Sequence, residues 1–170
     1  MTEQISPPEA EHRAAALKER VYVTFTALAV ILAMSSHTEE HLTPGDAATT
    51  LAITVLGTVL AVFVADFVSH IAVHGATPSP MEWREMAAVS FGAAGAVLLP
   101  MIFIGFAALG SWSVEAALRA STIALIVTLV AIGYLAIRRV KMAWWQRLIA
   151  LGAEFALGAA VVGLELLAHG

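Results

Sequence analysis

Five apolar runs, at residues 21–36, 47–65, 86–109, 120–137 and 148–164, occupy most of this 170-residue chain, and each is long enough or nearly long enough to cross a bilayer. A hydrophobic fraction of 59% against 13% charged residues leaves too little charge to cover a water-facing surface. The pattern predicts an all-α polytopic membrane protein with five transmembrane helices. It divides into a cytoplasmic amphipathic segment over 1–20 and a five-helix transmembrane domain over 21–168. Function must then reside in the few polar groups at membrane depth.

The length allows one helical bundle with short loops and no second folded domain. With no cysteine, disulfides, thiolate metal sites and cysteine nucleophiles are excluded. The sequence carries no nucleophile paired with a base, no phosphate-cradling glycine loop and no basic stripe. Neither an enzyme nor a nucleic-acid partner is expected, and no resident cofactor is implied.

Ahead of the first run, Pro7 and Pro8 lead into Glu9 to Arg20, where charged residues alternate with Ala14, Ala15, Ala16 and Leu17. That alternation suits a surface helix. A cleaved signal peptide is the rival reading, with Ala33-Met34-Ser35 as its small-residue site. The long polar lead favours a retained span.

Basic residues set the orientation. Arg13, Lys18 and Arg20 precede the first run, Arg84 lies between the second and third, and Arg138, Arg139, Lys141 and Arg147 lie between the fourth and fifth. These segments are expected on the cytoplasmic side of the cell membrane. The opposite segments hold Glu39, Glu40 and Asp46, and then a single Arg119. Five spans place the N-terminus inside and the C-terminus outside, with Trp83, Trp112, Trp144 and Trp145 at the interfaces. Small residues four apart at Gly92/Ala96, Ala156/Ala160 and Ala159/Gly163 predict close helix approach. Pro100, flanked by Gly95 and Gly105, predicts a kink or local loosening in the third span.

Taken in order, these features resemble one known family. Val21 to Val30, His41-Leu42-Thr43-Pro44-Gly45, and Val55-Leu56-Gly57 leading to Ala65-Asp66 look like the first two spans of the vacuolar iron transporters. Ser79-Pro80 and Gly95 to Pro100 resemble that family's third span, and Ile132-Gly133 and the run from Gly152 to Gly163 continue the likeness. The resemblance covers most of 21–168 and implies a divalent-metal transporter whose pathway lies at a two-fold interface, hence a homodimer. Three departures stand beside it. No acidic residue lies between Val21 and Met34, where the family carries an acid followed by glycine. Asp66 is followed by Phe67, Val68, Ser69 and His70 rather than by the family's glycine, serine and methionine. The connection from Gly75 through Arg84 is too short for the cytoplasmic metal-binding unit of the eukaryotic members.

The intramembrane polar groups have their own chemistry. At 1.5 Å per residue, Asp66 in the second run and Glu154 in the fifth reach similar depth, where each must be protonated, paired or bound to a cation. His70 and His74 follow Asp66 at four-residue steps, stacking the three on one helical face toward the cytoplasm. A carboxylate and neutral imidazoles are acceptable to Fe²⁺, Mn²⁺ or Zn²⁺, and the same groups relay protons. Glu82 and Glu85, across the same connection, can gather cations at the entrance. His37 and His41, four apart with Glu39 and Glu40 between them, make a second candidate pair on the outer side. The plainer reading makes His70 a packed core histidine, His74 an interfacial one, and the glutamates solvated loop charges. The expected function is transport of a divalent transition metal, Fe²⁺ or Mn²⁺, with proton coupling left open. The alternative is a non-transporting membrane protein that keeps the fold without the pore chemistry.

Overall fold

In a computed structural model the described residues, 7–36 and 42–138 with isolated positions between 144 and 163, are helical apart from short connections. α1 spans Pro7–Ser36, α2 Pro44–His74 and α3 Pro80–Ala93. A 3₁₀ turn over Ala94–Val97 then leads into α4, Leu98–Ala108, and α5 covers Val114–Arg138. Among the described residues three stretches are long and apolar enough to cross a membrane: Pro44–His74, Pro80–Ala108 and Val114–Ala136, with mean hydropathies of 2.4, 2.1 and 2.0. The first apolar run forms the second half of α1, and most of the fifth lies outside the described residues.

The helices start earlier than the apolar runs because the polar residues before them act as caps. Thr43-Pro44-Gly45-Asp46 forms a capping box: the Asp46 N–H donates to Thr43 Oγ1 at 3.2 Å, and the Thr43 N–H donates back to Asp46 Oδ2 at 3.3 Å. Ser79-Pro80-Met81-Glu82 repeats the device, with the Ser79 N–H donating to Glu82 Oε2 at 2.7 Å. In both, proline fills the first turn, where its missing N–H costs nothing. α5 opens on Ser113, whose Oγ accepts the Ala116 N–H at 3.1 Å. α2 ends at Gly75, whose φ of 66° is the left-handed cap that glycine adopts without strain, and whose N–H donates to the Ile71 carbonyl at 2.8 Å.

α1 is the central helix. It packs against α2, α3, the 3₁₀ turn and α5. One face buries Val23, Ala27, Ile31 and Met34, with Thr24 and Leu28 beside them. These meet Ala47, Leu51, Val55 and Val59 of α2 and Leu118, Leu125 and Leu129 of α5 in one core. Ile53, Leu56, Leu60, Val64 and Val68 of α2 point outward, as residues facing lipid do. The amphipathic segment and the first apolar run form a single unbroken helix, with no boundary at residue 20.

The loosening expected near Pro100 takes the form of the 3₁₀ turn. Pro100 lacks the N–H that an α-helix gives to the Ala96 carbonyl, and its ring crowds that carbonyl. The backbone tightens over Ala94–Val97, and α4 resumes at Leu98. The close approach expected at Gly92/Ala96 is not seen among the described residues: a Cβ on Gly92 meets nothing within 4 Å. Contact between α2 and α3 is made by aromatics instead. The Trp83 ring lies 5.3 Å from Phe63 and 5.1 Å from Phe67, centroid to centroid.

Candidate functional site

The polar stripe of α2 opens onto a cleft of roughly 500 Å³ between α1, α2 and α3. Asp66, Ser69, His70 and His74 line it from α2, Glu82, Glu85 and Met86 from α3, and His12 and Glu19 from α1. Helical spacing places the α2 residues in register along one wall. The capped start of α3 brings its two glutamates opposite them. Sequence spacing alone selects Asp66, His70, His74, Glu82 and Glu85, and all five line the same space.

Exposure grades along the cleft. His74, Glu82, Glu85 and His12 are exposed at the mouth, and His70 and Asp66 are half-buried. The His70 and His74 rings lie 4.5 Å apart, tilted by 42°. Glu82 occupies the exposed first turn of α3, ahead of the apolar run that begins at 86. The Ser79 backbone N–H, donating to Glu82 Oε2, fixes this carboxyl at the cleft mouth. Its exposed carboxyl stands where cations can reach it.

The residue that sequence reasoning misses is Glu19. It is 1% exposed. Asp66 of α2 and Ser90 of α3 are its neighbours at interaction distance. Neither Glu19 carboxylate oxygen, nor the Ser90 hydroxyl, has a hydrogen bond of acceptable geometry. The other two buried polar residues differ: Thr24 Oγ1 donates to the Arg20 carbonyl at 2.6 Å, and Ser121 Oγ donates to the Ala117 carbonyl at 2.7 Å. Such back-bonding lets a hydroxyl sit in an apolar setting without a partner helix. Glu19 and Ser90 have no such local solution.

A signal for Glu19 exists in the sequence. It stands four residues before Val23, eight before Ala27 and twelve before Ile31, so it continues the buried face of α1. The charged residues around it, Lys18 and Arg20, assign it by composition to the polar lead. Helical register assigns it to the core. Glu19 and Asp66 line the same cleft from α1 and α2.

Glu154, expected at the depth of Asp66, lies outside the described residues, as do His37 and His41. Among the described residues no three His, Asp or Glu side chains converge in a ready-made metal cage. What the cleft offers is a graded path: exposed carboxylates and imidazoles at the mouth, and the two carboxyls of Asp66 and Glu19 further in, with Ser90 beside Glu19. A buried carboxyl beside a half-buried one favours a proton or a cation shared between them over two free charges.

At the opposite end, charges are answered locally. Arg119 donates to Glu115 Oε1 at 2.6 Å, one helical turn away on α5. Trp112 stacks on Phe103 at 5.7 Å between ring centroids and steadies the loop that precedes α5. Comparison with known proteins gives no match to a family model, to a curated protein or to a solved structure.

Proposed function

We propose that this chain is an integral membrane transporter of divalent transition-metal ions, Fe²⁺ or Mn²⁺, with the α1/α2/α3 cleft as its cytoplasmic entrance. One observation carries the reading: Asp66, His70 and His74 share a face of α2 that opens onto a cleft walled on the far side by Glu82 and Glu85. Mixed carboxylate and imidazole donors suit these ions, and the rising burial from His74 to Asp66 suits stepwise dehydration. His70 and Asp66 act as the deeper ligands, with Glu82 and Glu85 concentrating cations at the mouth. The colinear residues that resemble the vacuolar iron transporters support the same reading.

The finer features belong to this proposal as well. The protein resides in the cell membrane with five spans, the fifth over 148–164, the N-terminus in the cytoplasm and the C-terminus outside. Glu154 in that fifth span reaches the depth of Asp66, and His37 and His41 receive the ion on the outer side. Two copies associate, presenting Asp66 from each subunit to a shared path. Protons compete with the metal for the same deprotonated ligands.

The experiment is flux into liposomes loaded with a metal-sensitive dye. The wild type moves Fe²⁺ or Mn²⁺, and Asp66→Asn, which keeps the shape and removes the charge, does not. A wild type that moves none of Fe²⁺, Mn²⁺ or Zn²⁺ under any proton gradient leaves a non-transporting membrane protein in its place.

A further inference from the structure

We infer that Glu19 of α1, Asp66 of α2 and Ser90 of α3 form an inner cation site built of oxygen donors alone, selective for a hard divalent ion of the Mn²⁺ class. The inference rests on the transport reading and deepens it by naming the ligands at the end of the cleft and the ion they prefer.

Three observations converge. Glu19 and Ser90 are each 1% exposed, so water does not freely solvate them. Both Glu19 oxygens and the Ser90 hydroxyl lack a hydrogen-bond partner, whereas buried Thr24 and Ser121 are satisfied inside their own helices. Glu19 and Asp66 both line the cleft, so an ion entering past His70 and His74 reaches them. Unanswered buried polar atoms are costly and rare, and here they come from separate helices at one place. A group that accepts lone pairs from all three satisfies the set at once, and a divalent cation does so while balancing two carboxylate charges.

Donor chemistry then sets the ion. Carboxylate, hydroxyl and water oxygens suit Mg²⁺ and Mn²⁺, whereas Zn²⁺ gains more from imidazole. Two carboxylates with retained waters are a usual way for a protein to hold a small hard divalent ion. The stretch of α2 ahead of it, with the neighbouring imidazoles of His70 and His74, has the opposite preference. The cleft thus orders two chemistries in series, a borderline-soft entrance followed by a hard inner site.

Equilibrium Mn²⁺ binding tests this on the full chain in nanodiscs, with free Mn²⁺ read by electron paramagnetic resonance and thermal unfolding as a folding control. Glu19→Gln is expected to weaken Mn²⁺ binding about tenfold or more and Ser90→Ala about threefold, on the scale of losing one ligand or one supporting group. The double variant His70→Ala/His74→Ala is expected to weaken Zn²⁺ binding by a larger factor than Mn²⁺ binding, because the imidazoles favour the softer ion. Mn²⁺ affinity unchanged by Glu19→Gln overturns the site, as does a wild type that binds no Mn²⁺. If Glu19→Gln does not fold, Asp66→Asn, which removes the site's other carboxylate, is judged by the same criterion. A wild type that binds Mn²⁺ with this pattern yet moves none sinks transport and spares the site. A wild type that moves Mn²⁺ with Glu19→Gln unaltered in binding sinks the site and spares transport.

Discussion

The two ends of the helical bundle treat polar residues in opposite ways. At the α5 end, Glu115 is answered by Arg119 one turn along the same helix, Asp46 by the Thr43 it caps, and the Ala116 N–H by Ser113. Every partner is local, within four residues, and would form in an isolated helix. At the cleft end, Glu19, Asp66 and Ser90 come from three helices, and two of them are buried without partners. A polar group satisfied within its own helix stabilises that helix and asks nothing of the rest of the fold. One left unsatisfied between helices lowers stability, and the fold retains it only where something else is gained.

The largest expected effect comes from attacking the unsatisfied end. Asp66→Asn should reduce metal flux at least about a hundredfold, the scale of removing a central charged ligand, while thermal unfolding in detergent stays level or improves. It should improve because the Glu19 carboxyl no longer faces a second acid. A marked fall in melting temperature together with lost flux would make Asp66 a structural residue and erase the contrast.

Next in size, the double variant His70→Ala/His74→Ala should lower flux about tenfold and leave unfolding unchanged, since both rings stand on the cleft wall rather than in the core. Unaltered flux would return both histidines to the solvated interface. The capping boxes then permit a matched pair. Thr43→Ala and Ser79→Ala should each cost about 1 kcal/mol of helix stability. Only Ser79→Ala should also reduce flux, because losing the hydroxyl that accepts the Glu82 N–H loosens the first turn of α3, which sets Glu82 at the cleft mouth. Equal flux in the two variants would show that the cap matters to the fold alone. The smallest effect belongs to the outer pair: Glu115→Gln should cost about 0.3 kcal/mol or less, as exposed pairs one turn apart do, and leave flux untouched.

Much of this contrast is legible in the sequence. Asp66, His70 and His74 declare themselves through four-residue spacing, and Pro100 marks the place where the third span departs from α geometry. Glu19 is hidden by its neighbours. The apolar runs locate the hydrocarbon by composition, and composition at residues 18–20 is wholly charged. Only the phase of the helix, counted back from Val23, Ala27 and Ile31, distinguishes Glu19, which turns inward, from Lys18 and Arg20, which are exposed. Helix starts at Pro44, Pro80 and Val114 were likewise obscured, because a cap extends a helix beyond the residues whose hydropathy announces it. Ser90 carries no sequence signal at all, since a serine in a membrane helix ordinarily bonds to its own backbone.

The 3₁₀ turn at Ala94–Val97 has a mechanical meaning. α3, above it in sequence, walls the cleft and carries Glu82, Glu85 and Ser90, whereas α4, below it, packs against α5 in the satisfied half of the molecule. A continuous rod would transmit any tilt of one half to the other. Here the α-helical ladder is interrupted midway, and Pro100 withholds the bond that would lock the joint. The Pro80–Ala108 stretch is therefore two rods joined end to end, and what holds the wall of the cleft in place is packing on each side of the joint rather than one continuous hydrogen-bond ladder.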